Sequence, residues 1–142
     1  MRDLKNITRK SSDWCLVATG TLNDPYTGTV IKFVRGVGSS NAVQIDHVVA
    51  LSNAWSTGAQ NISSTSRYQL ANDPLNLLAV DGPTNASKSD KDAANFLPRK
   101  TYQCKYVARQ LSVKRKYKLW VTANEKAAMV RVLSTCPKQT LP

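Results

Sequence analysis

The sequence predicts an α+β fold, and three observations carry this prediction. The N-terminal third holds two β-prone runs around a strong turn signal, and the middle third alternates strand and helix patterns. The C-terminal third places apolar residues at helical spacing. A length of 142 residues suits one domain with its own core. We therefore expect a single domain over residues 1–142, with 1–13 and 137–142 as loose tails.

A β-hairpin is predicted near the N-terminus. Residues 14–22 and 29–35 are rich in β-branched and aromatic side chains, which favour strands. The segment between them, 23–28, contains Asn-Asp-Pro and ends in Gly28, a combination typical of turns. Residues 36–41 are then expected to form a loop.

The middle of the chain predicts a strand, a helical insert, a second strand and a helix. The strands are expected over 43–49 and 75–80, each followed by turn or helix signals. Between the strands, 51–60 and 63–71 have helical spacing. A further helix is predicted over 84–96, ended by Pro98.

The C-terminal third predicts a helical hairpin. An apolar stripe runs through 102–117, and Thr122-Ala123-Asn124-Glu125 matches a capping box that starts a second helix. Cys104 and Cys136 lie at equal distances before and after the reversal at Trp120, so antiparallel helices would bring them together. A disulfide is predicted there, with two buried free thiols as the alternative. Cys15 has no partner, and no zinc spacing is present.

The charge predicts a polyanionic partner. The net charge is +11, from 20 Lys and Arg against 9 Asp and Glu. Residues 93–124 contain no acidic side chain and carry eight basic ones: Arg99, Lys100, Lys105, Arg109, Lys114, Arg115, Lys116 and Lys118. Such a surface attracts nucleic acid. A solvated basic helix or an anionic membrane surface is the alternative, although no apolar run is long enough to span a membrane.

His47 is the only histidine in the chain. It follows Asp46 inside an apolar, β-prone run, and it is the one imidazole that could exchange a proton near neutral pH. A histidine buried in the core for structural reasons is the alternative. Because side chains alternate along a strand, Asp46 and His47 can serve one site only if the strand bends at its end.

These residues belong to a longer ordered pattern. Asp46-His47-Val48-Val49, then Asn76-Leu77-Leu78, then Asn85-Ala86-Ser87-Lys88-Ser89-Asp90 resemble the motif of HNH (ββα-metal) nucleases. Residues 22–28, 43–54, 71–90 and 106–110 are similar to actinobacterial HNH proteins related to the C-terminal domain of GmrSD restriction endonucleases. The resemblance covers nearly the whole chain. It implies a ββα-metal core between the N-terminal β-hairpin and the C-terminal helical hairpin.

The resemblance also implies roles for individual residues. His47 matches the general base that deprotonates water, and Asn76 matches the residue that holds the histidine's loop and orients its ring. Asp46 and Asn85 match ligands of one divalent metal ion. An all-oxygen ligand set favours Mg²⁺, allows Mn²⁺ and makes Zn²⁺ less suitable. The implied activity is hydrolysis of DNA, possible also for RNA, that leaves a 5′-phosphate and a 3′-hydroxyl.

Further assignments follow for the surroundings of this motif. Lys88, Arg67 and Arg109 are expected to bind flanking phosphates. Structural alternatives are a turn-forming role for Asn76, a helix N-cap for Asn85 and a first-turn position for Asp90. The three tryptophans are expected in the core: Trp14, Trp55 and Trp120.

Two other functions stay open. A non-catalytic DNA- or RNA-binding module would keep the basic surface, and an inhibitor-controlled toxin or defence module would share the chemistry. We expect a monomer that does not enter membranes. An extracellular location is favoured over a cytoplasmic one, because a Cys104–Cys136 bridge suits an oxidising space.

Overall fold

The N-terminal region forms a three-stranded antiparallel sheet. A computed structural model describes residues 2–142, and its first strands are β1 (Leu4–Lys10), β2 (Asp13–Asn23) and β3 (Val30–Val34), in that order across the sheet. The predicted hairpin is confirmed as β2–β3. The expected loose tail is wrong for residues 4–10, because β1 pairs with β2 and its side chains lie over Gly20.

The middle region contains the predicted order of strand, helical insert, strand and helix. β4 (Val43–His47) pairs antiparallel with β5 (Leu77–Asp81), and α3 (Gly82–Lys88) follows directly. The insert between the strands holds α1 (Leu51–Ser56), a 3₁₀ turn (Ala59–Asn61) and α2 (Ser64–Asn72).

Two predicted helices are shorter than expected, and local backbone geometry explains both. The helix expected over 51–60 ends at Ser56, just before Gly58 with φ +123°. The helix expected over 84–96 ends at Lys88, because Ser89 has φ +49° and leaves the helical region. Residues 89–99 are then irregular.

The C-terminal region is the predicted helical hairpin. It consists of α4 (Lys100–Lys116) and α5 (Ala123–Leu133), linked by the Cys104–Cys136 disulfide, whose Cα atoms are 6.4 Å apart. Thr122 caps α5 by accepting a bond from the Glu125 amide. The reciprocal bond of a capping box, from the Thr122 amide to the Glu125 side chain, is not among the described hydrogen bonds. The Glu125 carboxylate instead turns inward and accepts from buried Lys114 at 2.9 Å.

Helix α4 packs against the rest of the domain through two apolar clusters. One cluster centres on Tyr106, whose ring meets that of Tyr26 edge to face at 5.6 Å. The other includes Val113 of α4 with Val49 and Leu70. No helix within residues 2–142 is long and apolar enough to cross a membrane.

The three tryptophans do not lie in the core, so that prediction is wrong. Trp14 is 76% exposed, Trp55 is 52% exposed and Trp120 is 48% exposed. The two clusters are filled instead by tyrosines and branched aliphatic residues. The exposed indoles are therefore available to contact a ligand.

Candidate active site

His47 ends strand β4 and is anchored by helix α2. Its Nε2 lies 2.8 Å from the carbonyl oxygen of Ala71, in the last turn of that helix. A carbonyl only accepts hydrogen bonds, so Nε2 carries the hydrogen in this contact. In neutral imidazole this leaves the lone pair on Nδ1, so Nδ1 is the nitrogen of the ring that can accept a hydrogen bond or a proton.

Asn76 fixes the loop that follows His47. Its backbone oxygen accepts from the amide of Val48, and its Oδ1 accepts from the amide of Val49, both at 2.8 Å. Its Nδ2 donates to the carbonyls of Val49 and Leu70. The side chain is fully buried. Asn76 thereby ties this loop to the end of α2, next to the carbonyl that holds the imidazole.

Asp46 lies at the centre of a buried polar network. The Lys88 Nζ donates to its Oδ1 at 2.8 Å and also to the His47 carbonyl at 2.9 Å. The Tyr26 hydroxyl donates to the other carboxylate oxygen, Oδ2. The Lys88 side chain is completely buried and that of Asp46 is 5% exposed. The network therefore joins the N-terminal turn, strand β4 and helix α3 at one carboxylate.

Burial and these contacts act in opposite directions on Asp46. Burial raises the pKa of its carboxyl above the usual range, because it disfavours the charged form. The ammonium of Lys88 and the Tyr26 hydroxyl partly offset this increase, since both stabilise the carboxylate. Burial also raises the pKa of Tyr26 well above that of a free phenol, so this residue donates its hydrogen throughout the neutral range.

One cleft of about 340 Å³ brings three of the four motif residues together, while Asn76 is buried outside its wall. Its walls include Asp46, His47 and Asn85, which are distant in sequence or would alternate on a regular strand. The cleft lies where β4 ends, since the ladder with β5 stops at the His47–Leu77 pair. Asp46 and His47 both pair in register with β5, and the backbone bends directly after them, at Val48 and Val49, so the expected bend lies just beyond the pair.

Asn85 lines the cleft from helix α3. Its Nδ2 donates to the Gln44 Oε1 at 3.0 Å, which directs the amide oxygen away from that neighbour. It does not cap the helix, because the Asp81 side chain accepts from the Thr84 amide at that end. The exposed carboxylate of Asp90 also lines the cleft, beyond the end of α3 rather than in a first turn.

The donor set of the cleft suits a hard cation rather than a closed zinc site. Asp46 offers a carboxyl group, and its two hydrogen bonds leave part of the roughly four lone-pair positions of a carboxylate free. Asn85 adds an amide oxygen. In the part of the chain that the structure describes, no group of three or more His, Cys, Asp or Glu could hold a metal. These residues fit an ion that retains several waters.

Of the three residues expected to bind phosphates, burial excludes Lys88 from that role, while the role stays a prediction for Arg67 and Arg109. Lys88 has no exposed surface and is bound to Asp46. Arg109 donates to the carbonyls of Leu75, Pro74 and Leu77, where it braces the turn before β5. Arg67 donates to the carbonyl of Ile62 and lies over the Trp55 ring. None of the three lines the cleft.

The acid-free segment is also not one uniform basic face. Lys114 is buried against Glu125, and Lys116 pairs with Asp73 at 2.7 Å. Arg99, Lys100 and Lys105 remain exposed at the other end of α4. Positive charge is therefore divided between internal ion pairs and surface groups.

Sequence reasoning missed Tyr26 and the true role of Lys88. Tyr26 was visible only as part of a turn signal, and its contact with Asp46 spans 20 residues. Lys88 contacts Asp46 over 42 residues. The available signal was the costly placement of Asp46 in an apolar strand, which predicts a buried cation partner.

Comparison with known proteins places this chain in a nuclease-related family. The chain belongs to the family described as GmrSD restriction endonucleases, C-terminal domain, whose model matches residues 2–132. The resemblance to HNH-type proteins of this group is thereby confirmed.

A fungal protein is also similar to most of the chain. An uncharacterized secreted protein of Arthroderma benhamiae is 36% identical over 138 residues, which is 95% of this chain and 64% of that protein. No solved structure matches the chain. The disulfide and the similarity to a protein named as secreted are both consistent with the predicted extracellular location.

Proposed function

We propose that this protein is an endonuclease that hydrolyses DNA phosphodiester bonds with the help of one divalent metal ion, best suited to Mg²⁺. The observation that carries the proposal is the single cleft lined by the chain's only histidine together with Asp46 and Asn85. Membership of a nuclease-related family and a net charge of +11 support a polyanionic substrate.

His47 is proposed as the general base. Its Nε2 is occupied by the Ala71 carbonyl, so the Nδ1 lone pair is the position that can take a proton from a water molecule. Asn76 is proposed as a positioning residue. It bonds the loop after His47 and the end of α2, and it makes no described hydrogen bond to the ring.

Asp46 and Asn85 are the residues that would hold the metal ion. When bound, such an ion supplies positive charge to the phosphate and to the departing 3′ oxygen. Lys88 and Tyr26 each hold one oxygen of the Asp46 carboxylate and fix its orientation. Lys88 also holds the His47 carbonyl, so one buried side chain positions both neighbouring residues of the motif.

Plasmid cleavage with Mg²⁺, Mn²⁺, Zn²⁺ or EDTA tests the proposed activity. We expect nicking with Mg²⁺ or Mn²⁺ that stops in EDTA. DNA binding that weakens with salt, but without EDTA-sensitive cleavage under any metal, would identify the protein as a non-catalytic basic module instead.

Calorimetry with Mg²⁺ tests the ligand assignment separately. Asp46→Asn and Asn85→Ala should each weaken binding, while Asn95→Ala, at an exposed amide outside the cleft, should leave it unchanged. Unchanged affinity in both cleft variants would reject Asp46 and Asn85 as ligands.

A further inference from the structure

Trp55 is a large apolar side chain that the fold turns toward solvent. It lies on α1, where its neighbour Ala54 is buried and makes the contact with the core. The indole remains 52% exposed. Aromatic side chains gain strongly from burial, so an exposed indole on this helix is a candidate contact for a ligand.

Trp55 lies on a helix that forms part of the cleft wall. Leu51 and Ser52, on the same helix, line the cleft together with Asp46 and His47. Trp55 follows these two helix residues by four and three positions, and residues so spaced share one face with their Cβ atoms about 5–6 Å apart. The indole therefore lies one helical turn from the cleft wall.

Arg67 accompanies the indole and is itself held in place. Its Cζ lies 5.5 Å from the centre of the Trp55 ring. Its Nη1 donates to the carbonyl of Ile62 at 2.5 Å, which limits the motion of the guanidinium. None of the four ion pairs within residues 2–142 includes Arg67, so no carboxylate neutralises its charge there.

We infer that Trp55 and Arg67 form a stacking subsite for an unpaired nucleobase of single-stranded DNA, next to the point of cleavage. The inference adds a substrate class to the proposed function, and it rests on that function because it takes the cleft as the point of cleavage. Indole rings stack on any base, and an adjacent guanidinium adds attraction for the phosphate. Duplex DNA keeps its bases stacked on one another, so only an unpaired base can use this platform.

The charge of the molecule favours this occupant over a second copy of the chain. Self-association through this face would bring two positively charged surfaces together, at a net charge of +11 on each copy. A nucleic-acid strand instead brings negative phosphates to the unpaired charge of Arg67.

Binding of oligonucleotides to the full chain in EDTA tests the subsite. Fluorescence anisotropy would compare a labelled single strand with the matching duplex for the wild type, Trp55→Ala and Trp55→Phe. Trp55→Ala should weaken single-strand binding by about 5- to 150-fold. Duplex binding should change less than twofold, and Trp55→Phe should retain most of the single-strand affinity because it keeps an aromatic face.

Trp14 provides a matched control. It is also an exposed indole with an arginine over its ring, Arg9 at 5.9 Å, but it lies on strand β2, which contributes no residue to the cleft wall. Trp14→Ala should change neither affinity by more than twofold. Equal losses in Trp14→Ala and Trp55→Ala would indicate a general surface effect and overturn the inference.

The remaining outcomes separate this inference from the proposed nuclease activity. No loss in Trp55→Ala, or equal losses for single strand and duplex, overturns the stacking subsite even if the protein cleaves plasmid. A selective loss for single strands supports it even if no metal promotes cleavage, because binding in EDTA does not require the reaction. Equal melting temperatures of the variants would exclude unfolding as the cause.

Discussion

Replacement of Lys88 by methionine tests whether the site depends on a buried ion pair. The substitution removes the ammonium and keeps a side chain of similar length in the same buried space. In the wild type, this group binds the Asp46 carboxylate at 2.8 Å and the His47 carbonyl at 2.9 Å, with no exposure to solvent. The variant leaves a buried carboxylate with the Tyr26 hydroxyl as its remaining described donor.

The expected destabilisation is large. Removal of one partner from a buried ion pair costs roughly 3–5 kcal/mol, since the other charge stays buried without compensation. At roughly 2–4 °C per kcal/mol for a domain of this size, the melting temperature should fall by about 6–20 °C. Urea unfolding followed by circular dichroism, with EDTA present to exclude metal binding at Asp46, measures the free energy of unfolding directly.

The loss should also depend on pH in a defined direction. Burial raises the pKa of Asp46 in the folded protein, and loss of the Lys88 ammonium removes an interaction that opposes this rise. Between the unfolded and folded pKa values the native state binds more protons, so stability falls as pH rises through that interval. The difference between Lys88→Met and wild type should therefore be largest at alkaline pH and shrink toward acid pH, where Asp46 is protonated.

Lys91→Met is the matched control. Lys91 is exposed and only three residues away, and its replacement should change stability by about 0.5 kcal/mol or less. A loss below about 1 kcal/mol in Lys88→Met, or a loss of equal size at every pH, would refute the view that Lys88 compensates a buried Asp46 charge.

Three further perturbations test the framework around the site. Reduction of the Cys104–Cys136 bridge, which joins residues 32 positions apart, should lower the free energy of unfolding by about 3.7 kcal/mol in the chain-entropy model. Equal urea midpoints with and without reductant would contradict this. Asn76→Ala should cost roughly 2 kcal/mol or more, because it leaves buried backbone groups unpaired, and an unchanged melting temperature would show that the loop is held by other contacts. Gly58→Ala should destabilise the protein by at least about 1 kcal/mol, because φ is +123° at this residue and the new Cβ would lie 2.8 Å from the Trp120 ring. An unchanged melting temperature would show that the segment relaxes to accept the side chain.

Local sequence signals predicted much of the architecture. The β2–β3 hairpin, the strand before the insert and the disulfide-linked helical hairpin follow from turn residues, periodicity and cysteine spacing. Strand β1 escaped prediction because its sequence, LKNITRK, is mostly polar and has few apolar positions to mark a buried face. The helix predicted over 84–96 ends at Lys88 because Ser89 adopts a positive φ, which nothing in the sequence requires.

At the site, too, sequence predicts residues that carry a local signal but not the contacts between residues that are distant along the chain. His47 could be proposed as a site residue because the chain has no second histidine, and Asn76 and Asn85 because their order resembles the HNH motif. The contacts of Asp46 with Lys88 and Tyr26 could not be identified, because they join residues 42 and 20 positions apart across three elements. The exposure of Trp55 likewise depends on which face of α1 the core buries, and a single buried alanine decides this.

The most direct test of the central claim is the rate of plasmid nicking by His47→Ala in the presence of Mg²⁺. Loss of a general base predicts a rate lower by about 10²–10⁴-fold. The melting temperature should change little and DNA binding in EDTA should be unchanged, because the side chain makes one described hydrogen bond, to the Ala71 carbonyl. Wild-type nicking by a purified, folded His47→Ala protein would contradict the assignment of His47 as the base and, with it, the proposed mechanism.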